Sequence, residues 1–116
     1  MDRQKRLERK FNYLNNLYEI TLEDFSQEFL DACQVEINFE LIDDIKSLIK
    51  IDQEINQLKK RVSNIYDINK EMLDESRDLF YRLGLIHKAI REIMRTEFGI
   101  IDCWENEKGR LEYVQC

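Results

Sequence analysis

The sequence predicts an all-α fold organised around one long coiled-coil helix, and three observations carry that prediction. The first is an apolar seam. Leu48, Ile51, Ile55, Leu58, Val62, Ile65, Asn69, Met72, Ser76, Leu79, Leu83, Ile86, Ile90 and Ile93 follow one another at three- and four-residue steps, and all but Asn69 and Ser76 are apolar. A 3.5-residue repeat of this kind lays a continuous stripe along a helix and lets it supercoil with a partner. The second is the lack of helix breakers: the chain has no proline, and Gly84 is the only glycine between Phe39 and Phe98. The third is a charged fraction of 36%, which suits a chain rich in exposed helix surface.

The central segment, 39–98, is therefore expected as a single helix, about 90 Å long at 1.5 Å per residue. Its a positions are Leu48, Ile55, Val62, Asn69, Ser76, Leu83 and Ile90. A stripe of that length needs a second copy to cover it. The expected homodimer interface is thus Leu48, Ile51, Ile55, Leu58, Val62, Ile65, Asn69, Met72, Leu79, Leu83, Ile86, Ile90 and Ile93. An Asn at an a position can pair with its twin and fix register, the role assigned to Asn69. Parallel and antiparallel pairing both stay open. The alternative is a turn within residues 63–69, where Asn and Asp tolerate one, giving a compact four-helix bundle.

Two short helices are expected in 1–37. Residues 2–19 place Leu7, Phe11, Leu14, Leu17 and Tyr18 on one face, and the same helix starts with Arg3, Lys5, Arg6, Arg9 and Lys10. Thr21 reads as the N-cap of a second helix carrying Leu22, Phe25, Phe29, Ala32 and Cys33. Asn38 reads as the cap of the long helix. Between Asp52 and Asn64 the stripe is narrow, with Asp52, Glu54, Lys59 and Arg61 on its flanks. Glu54 and Lys59 have the spacing of an interhelical ion pair. From Tyr66 onward the stripe widens, which requires further helices to cover it.

Gly99 follows Phe98 as a left-handed C-cap would. Residues 99–116 then read as a strand, a turn and a second strand. A two-stranded hairpin is marginal alone in water, so Trp104 and Tyr113 are expected to pack on helix or on a partner. The whole chain, 1–116, reads as a single helical domain.

A net charge of −6 disfavours a general binder of nucleic acid or anionic membrane. There is no apolar run long enough to span a bilayer and no apolar segment after the basic start, so a cytoplasmic or otherwise intracellular protein is expected. Cys33, Cys103 and Cys116 are odd in number and far apart, and His87 is the only histidine. No metal and no cofactor are expected from that set.

One short motif points to chemistry. Arg82-Leu83-Gly84-Leu85-Ile86-His87 resembles the Arg-x4-His motif of HEPN-family ribonucleases, small helical dimers in which Arg and His converge on RNA phosphate. The resemblance covers six residues and departs from the family at Leu83, where a polar residue often stands. It implies a ribonuclease with Arg82 and His87 as catalytic residues. His87-Lys88-Ala89-Ile90-Arg91 also resembles a histidine phosphotransfer helix, with Ala89-Ile90 where that family has a glycine. Phosphate-cradling glycine loops and nucleophile-elbow patterns do not occur. The leading expectation is a non-enzymatic dimeric scaffold or adaptor that binds itself and another protein, with no membrane partner. The alternatives are a nucleic-acid-associated regulator using the basic first helix, and the ribonuclease.

Overall fold

The computed structural model describes residues 2–39, 44–68, 70–108 and 111–115. In chain order these form α1 (Arg3–Glu23), α2 (Gln27–Ala32), α3 (Ile45–Ile68), a 3-10 turn (Lys70–Met72), α4 (Leu73–Phe98), β1 (Ile100–Glu105) and β2 (Leu111–Gln115). Helix predominates, as the seam predicts.

The single helix expected over 39–98 is corrected: it is two helices that fold back on each other. Near the turn the Ser76 hydroxyl donates to the Val62 carbonyl at 2.8 Å. Further along, Arg91 on α4 reaches Asp52 on α3, so the pair runs antiparallel. The longest dimension is 47 Å, about half that of the expected rod. The radius of gyration of 14.9 Å is near the ~13 Å of a compact chain of this length.

The seam residues were read correctly as buried, but their cover is the same chain. Leu48, Ile51, Ile55, Leu58 and Val62 of α3 and Leu79, Leu83, Ile86, Ile90 and Ile93 of α4 are all buried in one copy. Ile65 and Met72, beside the turn, pack partly buried against that core. These residues are thus not available as a dimer interface, and burial of each contributes about 1.5–3 kcal/mol to the single chain. Asn69, assigned a register role, lies outside the described residues. The physical reason for the error is simple: a 3.5-residue repeat records which face is covered and not what covers it.

α1 runs antiparallel to α4, with Arg6 beside Glu97 at one end and Asp24 beside Arg82 at the other. It supplies Phe11, Leu14, Tyr18 and Thr21 to the interior. α2 adds Phe29 and Leu30. Phe39 stacks on Tyr18 with ring centroids 4.5 Å apart, tying the connecting segment to α1.

Two cap assignments change. Thr21 lies inside α1, where its hydroxyl donates to the Leu17 carbonyl at 2.7 Å; this bonding to the preceding turn replaces capping. Ser26 caps α2 by accepting from the Phe29 N–H. At the start of α3 it is Asp44, not Asn38, that accepts from the Ser47 N–H at 2.9 Å. The preceding turn closes at Gln34, whose φ of 56° is left-handed. Arg61 of α3 donates to the carbonyls of Cys33 and Gln34 and holds that strained corner.

Gly99 ends α4 with φ 66° and its N–H bonded to the Met94 carbonyl, the left-handed cap the sequence predicts. β1 and β2 then pair antiparallel, with Cys103 opposite Tyr113, Trp104 opposite Glu112, and an irregularity between Ile100 and Asp102. The N–H of Lys108 donates to Asn106 Oδ1 at 2.9 Å, an Asx-type bond that helps turn the chain.

Candidate functional site: an exposed aromatic hairpin beside internal ion clusters

The hairpin leaves the helical body through Ile100, which is buried with the core. Beyond it Trp104, Glu112, Tyr113 and Val114 are exposed. Register puts Trp104, Glu112 and Val114 on one face and Tyr113 on the other. Trp104 is 43% exposed, Val114 45% and Tyr113 40%. The Trp104 indole N–H donates to Glu112 Oε2 at 3.1 Å, and the Asn106 amide donates to Glu112 Oε1 at 3.1 Å. These bonds fix the indole in place and leave its ring in water. The expected packing of Trp104 and Tyr113 on helix is therefore incomplete, and both remain accessible for contact.

The Arg82 and His87 pair is not brought together. Five residues apart on α4, the two side chains diverge by about 140° at 3.6 residues per turn. Arg82 pairs with Asp24 at 2.6 Å and lies over the Phe25 ring, on the α1–α2 side. His87 faces α3, with Nε2 2.9 Å from Asp52 Oδ1. That contact is close but off the line of a ring N–H, so Nε2 makes no hydrogen bond. The convergence on one phosphate that the ribonuclease resemblance implies is not seen within this chain.

Asp52 flanks the narrow stripe in the sequence, where nothing marks it as inward, and its carboxylate is completely buried between α3 and α4. Arg91 grips it with Nε at 2.8 Å from Oδ1 and Nη2 at 3.1 Å from Oδ2. Burial alone would push this carboxyl up. The His87 and Arg91 contacts outweigh burial and hold it below the usual carboxylate range. The available signal was an acid on a seam flank with a basic residue on the corresponding flank of the other half. It is legible only once antiparallel pairing is known.

The basic start of α1 is also largely occupied. Arg6 and Lys10 reach Glu97 at 2.8 and 2.6 Å. Arg3 donates to the Glu97 carbonyl at 2.8 Å and lies over Phe98. Three cations thus meet the negative end of α4, where carbonyls are unpaired. The hydrogen bonds and charges of Arg6 and Lys10 hold the Glu97 carboxyl at about 2. Arg3, Arg6 and Lys10 act within the fold, which removes most of the basic face offered as a nucleic-acid surface.

Lys59, expected to pair with Glu54 across a dimer, lies over the Phe80 ring instead. Cys33 is a free, buried thiol, and burial pushes it up to about 11. Among the described residues no cluster of His, Cys, Asp or Glu could hold a metal ion, and no helix is long and apolar enough to cross a membrane. Comparison with family models, curated proteins and solved structures finds no match for this chain.

Proposed function

We propose that this protein is a non-enzymatic adaptor, a small helical body that presents the Trp104–Tyr113 hairpin to another protein. The observation that carries this reading is the exposure of Trp104, Val114 and Tyr113 on a two-stranded ribbon. Such a ribbon has little stability of its own. Large aromatic rings left in water on both faces cost solvation that a partner would recover, and Trp and Tyr are the residues most often found at the energetic centre of protein interfaces. The free backbone edges of β1 and β2 can also accept an added strand.

The coiled-coil basis for a scaffold is gone with the seam folded onto itself, so the adaptor reading now rests on the hairpin. The test compares the chain with a Trp104→Ala/Tyr113→Ala variant of matched helicity. A partner isolated with the unaltered chain should bind it directly as a purified protein and change the fluorescence of the single tryptophan. The variant should lose that binding by about a hundredfold or more, as for two central aromatic anchors. A partner bound equally well by the variant, or an RNA-cleaving activity abolished by His87→Ala, would overturn the proposal.

A further inference from the structure

The outer face of α4 carries a stripe at helical spacing, Asp74, Arg77, Tyr81, Gly84 with Leu85, Lys88, Glu92 and Arg95, with Arg77 at its border beside Ser63 of α3. Tyr81 is 67% and Leu85 47% exposed, the apolar groups that this stripe leaves in water. Between them is Gly84, in mid-helix, where glycine costs stability relative to alanine. Packing among the described residues does not explain that choice: a Cβ built on Gly84 would meet no atom within 4 Å.

The order of charges along the stripe is complementary to its own reversal. Laid antiparallel about a two-fold axis between Gly84 and Leu85, Asp74 meets Arg95, Arg77 meets Glu92, and Tyr81 meets Lys88. Leu85 then faces the gap that Gly84 leaves. Each contact occurs twice by symmetry. The first two are opposite charges, and the third sets an ammonium against an aromatic ring. A parallel arrangement would put every charge against itself. The Glu92–Arg95 bridge within one chain, 2.7 Å long and more than half exposed on both sides, is of the weak surface kind and can exchange for the intermolecular pairs.

We propose that the outer face of α4 is a self-association surface that takes a second copy of this chain, antiparallel, with Leu85 of one copy seated over Gly84 of the other. This interface is distinct from the seam and does not depend on the hairpin reading.

The experiment is sedimentation equilibrium of the full chain over a wide concentration range, with charge-swap variants. Dimerisation in the micromolar range is expected for a contact of one helix face per copy. Arg77→Glu and Glu92→Arg should each weaken it by about tenfold or more, because each reversal makes two symmetric contacts repulsive. The combined Arg77→Glu/Glu92→Arg chain should return to within about threefold of the starting affinity, since only antiparallel pairing restores both contacts. Gly84→Leu should abolish association while helicity and melting temperature are kept, and Trp104→Ala should leave association unchanged. A chain that stays monomeric to about 1 mM overturns the proposal. So does a combined variant as weak as the single ones, a dimer that tolerates Gly84→Leu, or a dimer lost with Trp104→Ala.

Discussion

Replacing Arg91 with Leu tests the electrostatic reading of the interior most directly. The Asp52 carboxylate is fully buried, and Arg91 supplies its two best-placed donors, at 2.8 and 3.1 Å. Removing one member of a buried ion pair costs about 3–5 kcal/mol because the other charge is stranded. The Arg91 side chain is 34% exposed, so water already screens part of the pair, and about 2–3 kcal/mol is the expected loss. At roughly 4 °C per kcal/mol for a chain of this size, the melting temperature should fall by about 8–12 °C. The pH dependence carries a sign. In the unaltered chain the folded Asp52 carboxyl titrates below its unfolded value, so its contribution is complete above about pH 4 and is lost as pH falls through the folded value. In Arg91→Leu only the His87 contact still opposes burial, so the carboxyl moves up and less of the stability gained above about pH 4 remains. The gap between the two proteins should therefore narrow from about pH 7 to about pH 4 in urea unfolding followed by circular dichroism. Asp52→Leu/Arg91→Leu should recover more than half of the loss, since an apolar pair can replace a buried ion pair. A gap under about 0.5 kcal/mol, or one that widens toward acid, would refute the reasoning.

The remaining predictions concern the joints between helices. Ser76→Ala removes the buried hydroxyl that bridges α4 to the Val62 carbonyl, and should cost about 1 kcal/mol in urea unfolding with an unchanged m-value; no loss would mean the bridge adds nothing. The Glu97 carboxyl is held at about 2, first by hydrogen bonds from Arg6 and then from Lys10. A lowered folded value means its contribution is present above the unfolded value and disappears as pH falls toward the folded one. Amide protection at the start of α1 should therefore persist through about pH 3 and fail only near pH 2, whereas failure near the ordinary glutamate value of about 4.3 would contradict the clamp.

How much was legible beforehand depends on what each signal measures. Period and composition gave the helical class, the inward residues of the first helix and the left-handed Gly99, because those features follow from local geometry. The seam identified its buried residues one by one, yet its topology was misread. Both halves of an antiparallel hairpin need the same three-four spacing, and seven residues from Ile65 to Met72 keep the phase across the turn. No proline or glycine announced that turn. α4 begins at Leu73 after Met72, an N-cap that makes no side-chain bond, with Asp74 and Glu75 in its first turn, a weak start signal inside an otherwise continuous stripe. Long-range pairs fared worse still: Asp52 with Arg91, and Glu97 with Arg3, Arg6 and Lys10, join positions far apart in sequence. Nothing local distinguishes such charges from solvated ones. Trp104 and Tyr113, expected to pack on helix or on a partner, stay exposed, since a hairpin of that length cannot hide both of its own faces.

Gly99 gives the display of the hairpin its mechanical character. Its φ of 66° and ψ of 26° form the one left-handed step between the last helical turn and the first strand, and Ile100 is driven into the core at once. The tether between body and ribbon is thus a single stiff elbow, with no slack linker. Under the proposed function, a partner gripping the aromatic blade would pull straight on the end of α4, where Arg3, Arg6 and Lys10 of the first helix meet Glu97. Binding energy at the tip would be transmitted to the base of the body, and a side chain grafted onto that elbow would re-aim the blade without touching it.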